Sequence, residues 1–317
     1  MKKFSIADSV FRVNLKYARL QNKSKELFFR CLQENRPVEY FKTELSKIWD
    51  IDDIEYMESQ IIEYEEYLHE YNTGKKLEKA TVVGLSALAI VSKTNKLFQK
   101  VKEKEYTLRI NSFGYEKNKS EYLKKLVPKY TSDVKPYRNN SGEVIRFVKP
   151  STYNSMAYNT TLTRNGWIQT LNDGEDMNIG YYYIPFHNFS CPHCIDHQEI
   201  AMSREQCLKL LGTANEGTQE LLHPNCKCTL SFYNNNIRLR DTFDRQQLEN
   251  EYNIRQQVNT LTLKKEELLS DIRIQKELGN QDEVDKLNQQ RRKVNSSIKE
   301  LQQQLPTEEL RKQVVIR

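Results

Sequence analysis

At 317 residues the chain is long enough for two or three modules. A hydrophobic share of 38%, a charged share of 29% and only 10 Gly and 8 Pro disfavour a turn-rich all-β fold and favour elongated helices with much exposed surface. The longest apolar run, Ala80 to Val91, falls well short of the ~20 residues a membrane span needs. No apolar segment follows Met1-Lys2-Lys3 before Arg12, so synthesis in a cytoplasm with reduced thiols is expected.

The net charge of +6 is concentrated in one block: residues 71–150 carry 18 Lys/Arg against 7 Asp/Glu, whereas residues 1–70 carry 11 against 14. Interleaved aromatics include Phe98, Tyr106, Phe113, Tyr115, Tyr122 and Tyr130. A block of this kind fits a sequence-independent contact with double-stranded DNA. Its candidate residues are Lys93, Lys96, Lys100, Lys102, Lys104, Arg109, Lys117, Lys119, Lys124, Lys125 and Lys129. A lysine-rich helix face that is merely solvated explains the same composition equally well.

In chain order, an N-terminal helical region occupies residues 1–74. Apolar side chains recur at three- and four-residue steps from Val10 to Leu32, and Pro37 suits the first turn of a helix running to about Trp49. Asp52 or Asp53 can cap a third helix, with Ile54, Met57, Ile61, Tyr64 and Leu68 on one face and a stop at Asn72-Thr73-Gly74. A basic helical region follows over residues 75–150. Its long helix is expected to start near Lys75, and the all-round apolar Ala80–Val91 portion reads as buried among neighbours. Pro128, Pro136 and the turn Asn139-Asn140-Ser141-Gly142 mark a boundary before a short strand, Val144 to Val148.

Residues 151–238 read as a small α+β module. A helix from Pro150-Ser151 to Leu171 should end at Asn172-Asp173-Gly174, with a strand at Gly180–Pro185 and a second from Thr229 to Tyr233. Between them, Ser203 is a good N-cap for a helix ending at Gly212. Residues 239–305 carry two seven-residue repeats: Val284, Arg291, Ile298 and Leu305, then Leu287, Val294 and Leu301. Ile254, Leu261 and Leu268 hold a matching seam, so an antiparallel helical hairpin turning at Leu278-Gly279-Asn280 is expected, followed by a tail over 306–317. The fold class predicted is mainly α with a small α+β knuckle module.

Four of the five histidines and five of the six cysteines fall between His187 and Cys228. They make two motifs, Cys191-Pro192-His193-Cys194 and His223-Pro224-Asn225-Cys226-Lys227-Cys228. A Cys-x-x-Cys puts two thiolates on one tight turn, and the second cluster supplies the rest of a tetrahedral sphere. Five candidates compete for four places: Cys191, Cys194, His223, Cys226 and Cys228. The preferred set is Cys191, Cys194, His223 and Cys228, with Cys226 able to replace one member. Cys31 and Cys207 stand apart and read as core residues.

His197-Gln198-Glu199 has the H-x-E of zinc deaminases, but in them a P-C-x-x-C must follow; here the Cys-x-x-Cys precedes it. Asp196-His197 comes too soon after Cys194 for the separate catalytic strand of an HNH-type nuclease. With enough thiolates and imidazoles to close the sphere, a structural zinc is expected and no catalytic residue is assigned.

The order of a helix, an aromatic strand, Cys191-Pro192-His193-Cys194, a small helix and Leu222-His223-Pro224-Asn225-Cys226-Lys227-Cys228-Thr229-Leu230 resembles the minor capsid, or head-morphogenesis, proteins of tailed bacteriophages. Their hallmark is a C-P-x-C knuckle followed by L-H-P-N-C-[KR]-C. The resemblance covers residues 151–317. It departs where those proteins often carry a Gly shortly after the first knuckle and this chain has Asp196-His197-Gln198-Glu199.

The resemblance implies a low-copy virion component without enzymatic activity. It would be made in the host cytoplasm and sit inside the head near the portal, in contact with portal, scaffold or major capsid protein. Contact with packaged DNA, ejection alongside it and homo-oligomer formation are compatible with that role. The competing functions are a zinc-dependent nuclease and a zinc-knuckle nucleic-acid-binding regulator.

Overall fold

The computed structural model describes residues 5–50, 53–77, 85–133, 135–138, 144–187, 190–213, 226–234, 237, 239 and 244–305. The described chain is mostly helical, with a two-stranded and a three-stranded antiparallel sheet. None of its helices is long and apolar enough to cross a membrane. Two compact units interleave along the sequence. One comprises Met1–Phe11, Asp53–Val91 and Ser155–Arg255; the other comprises Arg12–Asp52, Ser92–Asn154 and Gln256–Arg317.

The second of these units is built on an aromatic core. Helix α1 (Ile6–Gln33) contributes Phe28, which meets Phe41 of α2 (Val38–Trp49) and Tyr106 of α4 (Leu85–Gly114) edge-on, while Phe41 and Tyr106 stack at 4.2 Å. Trp49 ends α2 against Phe98 and donates its indole N–H to Ser24 Oγ at 2.7 Å. Helices α5 (Lys119–Leu126) and the β1 (Lys135–Arg138)–β2 (Val144–Val148) hairpin follow.

Helix α9 (Arg245–Glu277) lies beside α1 in this unit, through Arg273–Glu26 and Lys25–Asp271 ion pairs and Ser270 bonding to the Asn22 carbonyl. Gly279, at a left-handed φ of 66°, reverses the chain into α10 (Gln281–Gln303). Leu268 and Ile272 then pack on Val284 and Leu287, forming the hairpin that the seven-residue repeat predicts.

The first unit is organised by α6 (Pro150–Asp176), which from Ser155 onward is buried on almost every side although it is rich in Asn, Ser and Thr. Its neighbour α3 (Asp53–Thr73) presents Met57, Ile61, Tyr64 and Leu68 as a buried stripe, as the spacing predicts. Gly166 allows the close approach, since a Cβ there would sit 2.6 Å from the Tyr64 ring. Polar clips complete the pairing: Asn165 donates to Glu65 at 2.6 Å and His69 bonds Asp173 at 2.6 Å.

Two boundaries differ from the sequence reading, the start of α4 and the end of α6. Gly74 adopts φ +70° and Lys75 N–H bonds Thr73 Oγ1, so Lys75–Leu77 are not helical; α4 begins at Leu85 and the intervening 78–84 lie outside the described residues. The same helix stops at Gly114, and α5 restarts behind an Asn118 cap that accepts from Glu121 N–H. Helix α6 runs through Asn172-Asp173-Gly174 instead of ending there. Asp173 is engaged by His69, Asn72 and Gln169, and Gly174 makes room for the Tyr182 ring, which a Cβ would approach to 2.8 Å.

A candidate metal centre

Beyond α6 the chain forms β3 (Tyr181–Tyr183), the central strand between β4 (Met202–Ser203) and β5 (Ser231–Tyr233). The first knuckle lies between β3 and β4. Cys191 is the N-cap of a one-turn helix, α7 (Pro192–Ile195), whose Pro occupies the first position. This turn brings Cys194 round so that its Sγ lies 3.1 Å from Cys191 Sγ. Ser203 then caps α8 (Arg204–Thr213): its hydroxyl accepts from Gln206 N–H while Gln206 Oε1 accepts from Ser203 N–H, a reciprocal capping box.

The second knuckle enters just before β5 and places Cys226 and Cys228 against the first. Cys194 Sγ is 3.6 Å from Cys226 Sγ, and the sulfurs of Cys194, Cys226 and Cys228 all lie within 4.8 Å of one another. All four cysteines are buried. Sulfurs bound tetrahedrally to one metal at ~2.3 Å stand about 3.8 Å apart, so Cys194, Cys226 and Cys228 have the spacing of a metal-holding thiol group, with Cys191 beside Cys194. Packed together, the thiols resist ionisation without a cation. Bonds from Cys191, Cys226 and Cys228, then burial, push Cys194 well up. At Cys228 a bond with Cys194 pulls downward, but Cys226 and burial outweigh it and the net shift is upward.

Of the sequence candidates, Cys191, Cys194, Cys226 and Cys228 are therefore brought together, and His223 lies outside the described residues. Cys226, the reserve member of the predicted set, is one of the three mutually close sulfurs. Cys31 is buried with its thiol pushed up to about 11 by burial. Cys207 packs into the same apolar cluster as the knuckles, alongside Met202, Ile184 and Leu230, and burial raises it to about 11 as well.

What holds the second knuckle in place was not visible in the motif. One face of α6 donates to main-chain carbonyls along it. Asn159 Nδ2 and Thr163 Oγ1 both bond Cys226 O, at 2.8 and 3.0 Å. Trp167 Nε1 bonds Cys228 O at 2.8 Å, and Thr170 Oγ1 bonds Leu230 O at 3.4 Å. Steps of four, four and three residues keep these donors on one helical face. They satisfy buried carbonyls that would otherwise cost about 1–3 kcal/mol each.

Other charges surround the cluster. His187 is pushed down to about 4 by burial, with Cys226 opposing, so it is neutral. Burial and then Arg255 lower Lys227, while Cys191, Asp8 and Cys226 pull it back up. Tyr252 of α9 packs on the knuckle core, its hydroxyl raised by burial and by the nearby Cys191 and Cys194.

The H-x-E residues serve the turn. Glu199 has φ +58°; its N–H bonds Ile184 O and its Oε1 accepts Phe186 N–H at 2.6 Å. Asp196 is exposed and pairs with Arg245 at 2.5 Å.

The DNA candidates divide by exposure. Lys93, Lys96, Lys100, Lys104, Lys117, Lys119, Lys125 and Lys129 are exposed, and Arg109 and Lys124 are partly so. Lys102 cannot join a surface contact. It is 1% exposed, paired with Glu105 at 2.7 Å, bonded to Thr131 O and set over the Tyr130 ring.

No family model matches the chain, and neither a curated protein nor a solved structure matches it at a significant level.

Proposed function

We propose that the four cysteines hold a structural zinc ion and that the chain is a minor head protein of a tailed phage, working near the portal without catalysing a reaction. The carrying observation is the convergence of both knuckles on one buried group of sulfurs, Cys194, Cys226 and Cys228 with Cys191 beside Cys194, in the motif order that resembles the head-morphogenesis proteins. The all-thiolate donor set suits zinc, and four protein ligands leave no position for a reacting water. Bound there, the metal would fasten the turn after β3 to the chain entering β5, a staple in a module whose sheet is only two or three residues per strand.

Two measurements test the reading. Metal analysis of freshly reduced protein should return one zinc per chain, and Cys226→Ser or Cys228→Ser should abolish it; a metal-free wild type overturns the zinc assignment. Co-expression with the portal and major capsid proteins of a tailed phage that encodes it should place the chain in sedimenting procapsids. Exclusion of zinc-loaded wild type from those particles overturns the head assignment.

A further inference from the structure

We propose that one face of α4 is a docking ridge for the phosphate backbone of duplex DNA, formed by Lys93, Lys96, Lys100 and Lys104. The inference rests on this face and is independent of the head-protein reading. At 100° per residue the four lysines fall within an arc of about 80° and extend along about 16 Å of helix axis. All four are exposed. The opposite side of the same helix is the one that packs: Val91, Thr94, Asn95, Phe98, Lys102 and Tyr106 are buried.

The acids nearest the ridge are paired with other lysines. The helix carries two acidic residues in this stretch: Glu103, which borders the Lys96 edge of the ridge, is paired with Lys42 of α2 at 3.6 Å, and Glu105, on the packed side, with the buried Lys102. Among the described residues none of the four ridge lysines is in an ion pair. The acids are thus engaged with Lys42 and Lys102, and the ridge lysines keep a net positive face, which a generic solvated helix with alternating signs does not do.

Lysine ammonium groups on flexible stems are point charges that suit phosphates without regard to sequence. A duplex presents a phosphate charge every ~1.7 Å of axis, enough for all four at once. The face offers no apolar stripe to insert into a lipid surface; Leu108 is the one exposed apolar side chain that continues it.

The test is a salt series from 50 to 200 mM on a 30-base-pair duplex of arbitrary sequence. Four phosphate contacts give a log–log slope of about −3.6, a fall in affinity of about 150-fold across that range. The ridge variant K93Q/K96Q/K100Q/K104Q should lose most of that slope and bind about 100-fold more weakly at 50 mM salt. A control, K286Q/R292Q/K293Q/K299Q on exposed positions of α10, removes the same charge and should lose less than about threefold.

Equal losses in the two variants would reduce the effect to net charge and overturn the ridge. So would a wild-type affinity indifferent to salt, which needs no variant to fold. Capture on vesicles containing a fifth phosphatidylserine, with no duplex binding, would overturn the DNA assignment in favour of an anionic membrane. None of these outcomes bears on zinc content or head incorporation.

Discussion

Replacing Trp167 by Phe should loosen the metal centre without removing a ligand. Trp167 is fully buried, and its indole N–H is the donor to Cys228 O. Phenylalanine keeps most of the ring volume but leaves that carbonyl without its bond, at a cost of about 1–3 kcal/mol. A residual void of roughly 40 Å³, at about 24 cal/mol per Å³, adds ~1 kcal/mol. The expected loss is therefore about 2–4 kcal/mol, felt where the second knuckle turns. Because such outer partners orient ligands, zinc affinity in a chelator competition should fall about 10- to 100-fold.

The chain contains two tryptophans, which supplies a matched control. Trp49 is also buried and donates to Ser24 Oγ, in the other unit. Trp49→Phe should destabilise by a similar amount yet leave zinc affinity within about twofold, since it orients no ligand. Each single-tryptophan protein also reports one unit by fluorescence: the Trp167 signal should change on metal removal and the Trp49 signal should not. Wild-type zinc retention in Trp167→Phe, or an equal loss in Trp49→Phe, would refute the reasoning.

Gly174→Ala forces a methyl into the Tyr182 ring and should lower stability by about 1–3 kcal/mol in thermal melts, whereas Gly114→Ala meets nothing within 4 Å and should cost little. Cys207→Ala should retain one zinc per chain by metal analysis while lowering stability by about 1–2 kcal/mol, because the thiol fills core space and ligates nothing. Glu199→Gln should keep both zinc content and entry into heads, since the amide oxygen can still accept Phe186 N–H; loss of head entry at normal zinc content would reopen a proton-transfer role for Glu199. Lys102→Met should be close to neutral in denaturant unfolding because it replaces a buried charge with apolar volume, and Lys102→Ala should cost about 2 kcal/mol or more through the void it leaves.

Local signals with a backbone mechanism were legible in the sequence. Gly74 and Gly279 stop helices in the left-handed conformation, Ser203 caps α8, and the seven-residue repeat pairs α9 with α10. The two cysteine motifs also announced their own meeting. Misreadings arose where a side chain's job is set far away. Asn172-Asp173-Gly174 looks like a stop, yet each of Asp173 and Gly174 is needed inside the helix by α3 or by Tyr182. Strand β1 was missed because Pro136 demotes its segment in any pattern scan. Lys102 was counted with its exposed neighbours although Val91, Phe98 and Tyr106 share its side of the helix. The donors of α6 were invisible for a different reason: Asn, Thr and Trp are ordinary residues, and their acceptors are carbonyls about sixty residues downstream.

That last arrangement bears on how the module tolerates change. Between Cys226 and Leu230 the chain is gripped through the main-chain oxygens of Cys226, Cys228 and Leu230. The specification for the knuckle is written in the helix that precedes it. Substitutions at 227 and 229 leave these bonds in place, whereas a change at 167 removes the Trp167 donor to Cys228 O, and Cys226 O, gripped by both Asn159 and Thr163, is released only when both are changed. A comparison of many such chains would therefore find the knuckle's hidden signature on α6, at fixed helical steps, in a stretch that carries no metal ligand at all.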